Sequence, residues 1–142
     1  MRWIILPPAA AAAAMLATTV VAQQNPSTRW TVSLTGEEEV VPGDPDGTGT
    51  AIIRINTRAN QLCYTLRVRG IEPATAAHIH EAPPGSAGAV VVELRAPTGG
   101  QSSGCVKMSN AELLEILAEP EDYYVNVHNE PYPGGALRAQ LG

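Results

Sequence analysis

Three observations predict an all-β fold, a Greek-key-like β-sandwich or barrel of about seven to eight strands with one short helix on a crossover. Apolar residues alternate with polar ones at a period of two in run after run, as a half-buried strand requires. The runs are separated by short stretches rich in Gly, Pro and Asn, the residues of turns. One stretch alone carries a helix-start signature, so the chain has no βαβ rhythm and a parallel sheet is excluded.

The elements follow in order. Residues 1–22 read as a signal peptide: Arg2 gives a positive start, an apolar run extends from Trp3 to Val21, and Val20-Val21-Ala22 forms a small-residue cleavage site. Cleavage is expected in preference to retention as a membrane anchor, because Pro7, Pro8 and the alanine tract weaken the run. Residues 23–29 are expected to be a disordered lead-in. The remaining residues, 30–142, form one β domain, since a mature chain of this size builds one core and not two.

Trp30, Val32 and Leu34 make the first inward row. Glu37 to Gly49 is an acidic loop. Its Asp44-Pro45-Asp46-Gly47 start resembles a calcium loop, but no acidic residue closes it at the required distance. Thr50 to Asn56 and Gln61 to Arg69 flank a polar turn and read as a hairpin, with Leu62, Tyr64, Leu66 and Val68 inward and Cys63, Arg67 and Arg69 outward. A strand around His78 comes next, then a Pro-Gly loop, then Ala89 to Arg95. Pro97 to Gly104 is expected to be a loop. Ser109-Asn110-Ala111-Glu112 is a capping box that opens the helix, which Pro120 ends. Tyr123 to His128 and Gly135 to Leu141 are the closing strands.

The chain has three histidines, and strand parity sets all of them on outward faces. In Ala76-Ala77-His78-Ile79-His80-Glu81, Ala77 and Ile79 face the core and His78 and His80 point together to the other side. In Tyr123-Tyr124-Val125-Asn126-Val127-His128, His128 falls with Tyr124 and Asn126. Two imidazoles at i and i+2, about 6–7 Å apart at the backbone, with a third from a neighbouring strand, form a three-nitrogen metal set. Imidazole suits copper, zinc, nickel and iron, so residue type does not select the metal. Glu81 and Asn126 are candidates to accept an imidazole N–H, Tyr124 and Tyr132 to cap or extend the site, and Arg138 to steer an anion.

Charge and cysteines bound the partners. Without Arg2 the chain carries eight basic and fourteen acidic residues, a formal charge of −6, and Lys107 is its one lysine. Such a balance argues against nucleic acid or an anionic membrane surface. Two cysteines, Cys63 and Cys105, in an exported chain are most simply one disulfide, expected to pin a loop to the outside of the sheet. Export implies a secreted or periplasmic location. No nucleophile elbow or phosphate loop is present.

The chain resembles the CHRD family, the domain repeated in chordin and found as single-domain exported proteins in bacteria. The matching stretches are Leu34-Thr35-Gly36 with Glu39-Val40, Gly49-Thr50-Ala51, Ala77-His78-Ile79-His80, Gly85 to Gly88, Tyr124-Val125-Asn126-Val127-His128, and Tyr132-Pro133-Gly134-Gly135 with Leu137-Arg138. More distantly it is similar to the copper/zinc superoxide dismutases, which place a His-Val-His pair on one strand, a late copper-ligating histidine, an arginine near the C-terminus and one disulfide. That resemblance implies copper-ligand roles for His78, His80 and His128 and the arginine role for Arg138. The zinc ligands are missing, so a binuclear site is excluded. The reading is an exported copper-binding protein with a mononuclear site, for copper handling or a dismutase-like redox step. Its alternatives are a non-catalytic interaction module, with a homodimer through a sheet edge, and a zinc-dependent hydrolase-like site with Glu81 as base.

Overall fold

The computed structural model describes residues 27–142; the expected signal peptide and residues 23–26 of the lead-in lie outside the described residues. Eight strands and one helix follow in the order β1 (Ser27–Thr35), β2 (Thr48–Asn56), β3 (Gln61–Arg69), β4 (Ala74–Glu81), β5 (Ala89–Leu94), β6 (Gln101–Lys107), α1 (Asn110–Ala118), β7 (Tyr123–Asn129) and β8 (Leu137–Gln140). All pairings are antiparallel, and the spatial order is β5-β4-β7-β8-β1-β2-β3-β6.

That order cannot be flat. Strands β3 and β4 stand five places apart, about 24 Å in a planar sheet at 4.8 Å per strand. The four residues between them, Gly70 to Pro73, reach about 17 Å when fully extended. The sheet therefore folds over on itself. It bends where β1 meets β8, a junction held by the single pair Thr35↔Arg138. The result is a nearly closed sandwich, with β5-β4-β7-β8 as one layer and β1-β2-β3-β6 as the other. Counting the open seam between β5 and β6 as a step, β7-β4-β5-β6 has Greek-key order, and α1 lies on the return from β6 to β7.

The inward rows are those that alternation predicts. Leu34, Ala51, Ile53, Ile55, Leu62, Leu66, Ala77, Ile79, Val125, Val127 and Leu137 have no exposed surface. The helix closes one end of the sandwich with Leu113 and Ile116. Its capping box forms as expected: Ser109 Oγ accepts from the Glu112 N–H, and the Glu112 carboxylate accepts from the Ser109 N–H at 2.8 Å.

Two expectations are corrected. The first strand begins at Ser27, so residues 27–29 belong to β1 and not to a lead-in. The second half of the expected 97–104 loop is strand, because β6 starts at Gln101 and pairs with β3 along its length. Two of its three inward positions are unusual for a strand: Ser102 donates to the Arg95 carbonyl at 2.7 Å, and a Cβ at Gly104 would lie 2.8 Å from the Tyr64 hydroxyl. Tyr64 thus fills the core space that β6 leaves open.

Cys63 and Cys105 are directly opposite in the β3–β6 ladder and form the disulfide. The bond ties strand to strand on the outer face, not a loop to a sheet. Closing a loop of 42 residues restricts the unfolded chain by about 4 kcal/mol on the entropy model. Replacing both cysteines with Ala is expected to lower the unfolding free energy by about 2–4 kcal/mol. Urea titration of the variant checks this, and a loss below ~1 kcal/mol would mean that β6 is held by its ladder alone.

Candidate metal centre

Over β7 and β8 the second face of the β5-β4-β7-β8 layer is also covered. In β7 every residue except His128 is buried, so the outward row Tyr124-Asn126 is as enclosed as the inward row. The cover comes from two loops, residues 36–47 and 82–88, which reach the sheet through polar contacts. Asn126 donates to Glu39 Oε1 at 2.6 Å, and Gln140 donates to the Ala82 carbonyl at 2.7 Å. Gly135, at φ +143°, is required here, because a Cβ would collide with the Glu39 carboxylate and come within 2.6 Å of Asn126 Nδ2.

On this covered face the three histidines meet. His78 and His80 come from β4, and His128 comes from the neighbouring β7. Each offers a ring nitrogen within 4.8 Å of the others, and all three side chains are half-buried. A register shift in the β4–β5 pairing falls between Ile79 and His80, where such irregularities re-aim a side chain.

The hydrogen bonds fix which nitrogen of each ring is free. His80 Nδ1 is 2.9 Å from the Gly88 carbonyl, and His128 Nδ1 is 2.9 Å from the Pro133 carbonyl. A carbonyl only accepts, so both rings carry the proton on Nδ1 and present a bare Nε2. His78 Nε2 lies 3.1 Å from the Glu93 carboxylate, which in the neutral ring places the proton on Nε2 and leaves Nδ1 as the ligating nitrogen. That Nδ1 stands 3.1 Å from His128 Nε2. A proton on His78 Nδ1 would make this a hydrogen bond; with both rings neutral and their protons placed as above, the two lone pairs face each other at the separation of two nitrogens each about 2.0 Å from one ion. His80 Nε2 is buried without a hydrogen-bond partner among the described residues. The donor set therefore fits a cation: three bare imidazole nitrogens, one of them orphaned, with every N–H committed elsewhere.

Burial holds both His80 and His128 below the ordinary imidazole value, and the neighbouring His78 adds to the effect. Both rings are neutral, and so able to ligate, at neutral pH.

The surrounding residues differ in part from the sequence-based assignment. Tyr124 stacks on His80, with ring centroids 4.8 Å apart and planes at 4°, and its hydroxyl accepts from the Gly88 N–H at 3.2 Å. Gly88 thus holds His80 with its carbonyl and Tyr124 with its N–H. A Cβ at Gly88 would collide with the Glu81 carbonyl, so only glycine fits. Glu81 itself points to the opposite face, beside Tyr123, Glu112 and Glu115, and holds no imidazole. Asn126 bonds Glu39 and not a histidine. Tyr132 packs against the core rather than capping the site. The carboxylate that reaches a histidine is Glu93, opposite His78 in β5, which the sequence reading did not identify.

Arg138 is not a surface cation. It is 1 % exposed and donates to the Ser86 carbonyl at 2.8 Å, and to the Pro83 carbonyl and Gln140 Oε1 at 3.2 Å each. Its guanidinium carbon lies 3.5 Å from the Tyr124 ring centroid. Tyr124 sits on the strand between Arg138 and His80, so the arginine clamps the platform on which His80 rests.

An antiparallel β-sandwich with a three-histidine set on one covered face is the class of protein this geometry defines. The CHRD domain family model matches residues 30–141, and the chain belongs to that family. No curated protein sequence and no solved structure matches the chain.

Two pH trends of opposite sign follow from the same layer. The depressed histidines contribute stability that is present above about pH 6.5 and lost as pH falls through their folded-state values. Burial raises Glu39 to about 7 against the opposing pull of Arg138 and Asn126, so its contribution is present below its unfolded value of 4.5 and lost as pH rises towards 7. In the metal-free protein, Glu39→Gln is expected to abolish the loss between about pH 4.5 and 7 and leave a steeper fall on the acid side. Melting temperatures from pH 4 to 8 check this; parallel profiles for wild type and variant would contradict it.

Proposed function

We propose that this CHRD domain protein is an exported copper-binding protein, its ion held by His78 Nδ1, His80 Nε2 and His128 Nε2. The observation that carries the reading is the commitment of one nitrogen of each ring to an acceptor, which leaves the other three nitrogens within 4.8 Å of one another. Copper is favoured over zinc because an all-nitrogen set follows the order of affinities in which Cu²⁺ ranks highest among the divalent first-row ions. Bound copper would supply a one-electron redox couple. The protein's own part is to keep the imidazoles neutral, oriented and half-shielded from water.

Within that reading, copper handling is preferred to a dismutase-like step. Arg138, which would attract an anionic substrate, has its guanidinium engaged by two loop carbonyls, Gln140 and Tyr124. The zinc-hydrolase alternative lacks its base, since Glu81 lies on the other face and Glu93 is bonded to His78. An interaction module would leave the histidines without a task.

Calorimetric titration of the mature domain with Cu²⁺ and Zn²⁺ is expected to give one equivalent, tighter for copper by at least tenfold. His80→Ala is expected to weaken copper by 100-fold or more while the fold is retained. Unchanged copper affinity in that variant would refute the site, and equal zinc affinity would refute the choice of metal. Removing the Glu93 carboxylate with Glu93→Ala is expected to weaken copper about tenfold, the lower end for an outer-shell partner, since Glu93 is largely exposed. Titration of that variant at several pH values checks it, the deficit being largest where His78 must compete with protons.

A further inference from the structure

The formal net charge of −5 conceals a sharp segregation. Strands β1, β2, β3 and β6 contain Arg29, Arg54, Arg67, Arg69 and Lys107 and not one Asp or Glu. All fourteen acidic residues lie elsewhere in the chain. The ladder register puts these five cations on one face. Arg29 is opposite Arg54, Arg54 opposite Cys63, and Cys63 opposite Cys105, so four strands contribute one continuous outward row. Lys107 lies at one end of the face, and Arg67 and Arg69 lie at the other. All five are exposed.

Among the described residues no carboxylate lies within ion-pairing distance of any of the five. Arg67 Nε donates to Gln101 Oε1 at 3.3 Å, Arg69 Nε donates to Thr48 Oγ1 at 3.2 Å, and Lys107 Nζ donates to the Ala59 carbonyl at 2.8 Å. Those are neutral acceptors that aim the side chains and leave their charge in place. Between the two arginines, Thr50 and Gln101 border a recess of about 360 Å³. The Cys63–Cys105 bond crosses the middle of the face and holds β3 and β6 together, so the charges sit on a rigid platform.

We infer that this face is a binding surface for an acidic polysaccharide, a chain of sugars bearing carboxylate or sulfate groups. Complementarity of charge gives the sign of the partner, and the other outward residues give its kind. Around one apolar side chain, Ile52, they are chiefly the hydroxyls of Thr and Ser and the amides of Asn56, Gln61 and Gln101, suited to sugar hydroxyls. Among the described residues no aromatic ring lies on the face, so single-stranded nucleic acid has no stacking platform there. Five cations spread over about 26 Å of strand match a chain with one anionic group per sugar or two. They are sparse against duplex DNA, which carries a charge every ~1.7 Å. A protein of net negative charge also repels a dense polyanion more strongly than a sparse one.

The test uses the mature chain with four probes at equal ionic strength: an oligogalacturonate, a heparin-derived oligosaccharide, neutral dextran and a 20-base-pair DNA duplex. Binding to one or both acidic oligosaccharides, absent with dextran and weakened by salt, is expected. Comparing the first two distinguishes carboxylate from sulfate as the recognised group. The double variants R67Q/R69Q and R54Q/K107Q change exposed side chains, and melting curves report on their folding. Each is expected to lose about tenfold or more in affinity, with copper affinity unchanged. Unaltered oligosaccharide binding in the combined fourfold variant would overturn the inference. So would tighter binding to the duplex, or a salt-sensitive self-association that the same substitutions abolish, since the face would then serve nucleic acid or a second copy of the chain.

Discussion

The polar side of the histidine layer depends on one buried cation. A guanidinium removed from water is tolerated only when its donors are satisfied. Arg138 meets that condition with two carbonyls of the 82–88 loop, the side chain of Gln140 and the face of Tyr124. The consequences run outward from it. The loop is drawn onto the sheet, its Gly88 reaches both His80 and Tyr124, and Tyr124 becomes a flat support for the His80 ring. A surface histidine pair thereby becomes an enclosed one, with burial low enough in polarity to keep the rings neutral. The arginine's charge therefore serves the architecture of the site, where exposure would have made it available to a ligand.

How much of this could be read from the sequence follows from the physics of strands. Period-two alternation is a local property, so the inward rows of β4 and β7, and the grouping of His78, His80 and His128 on one side, are visible in short windows. Strand β6 is hard to see because its apolar signal is a single residue: of its inward positions Ser102, Gly104 and Val106, the first two are not apolar side chains, and the volume is supplied by Tyr64 from the strand beside it. The covering of the outward face was hidden for a different reason. It is made by loops whose contacts, Glu39 to Asn126 and Pro83 to Arg138, join residues far apart in the chain. Glu81 illustrates how a sound rule can be applied to too few residues. The alternation that pairs His78 with His80 sends the next residue to the opposite side, whereas Glu93 is brought to His78 by register across β5.

The sandwich thus separates two chemistries. One layer turns towards its covering loops a set of neutral nitrogens with their protons directed away; the other presents fixed positive charge on a rigid, loop-free surface. Both arise from the same geometric fact, that a strand with one face committed to the core is free on the other. What differs is whether loops fold back over that free face. The β1–β2 and β4–β5 connections do so on the histidine layer, drawn by Arg138 and Asn126, and the short β2–β3 turn has no residues to spare for the arginine layer.

Net charge describes such a molecule poorly. The acidic excess lies in loops, in the helix and on the strands of the histidine layer, so the electrostatic potential near the arginine face is governed by its own cations within a Debye length of about 8–10 Å. Beyond that distance the excess negative charge is screened at physiological salt. A partner approaching the arginine face at close range meets a positive surface, whatever the sign of the whole. The same screening isolates the two layers electrically. The centroid of one outer face lies more than a sheet-to-sheet spacing of about 10 Å from the other, so charge bound on one has little leverage on the histidine nitrogens of its opposite. Two independent sites on one small sandwich are therefore compatible, and their independence is a property of its thickness.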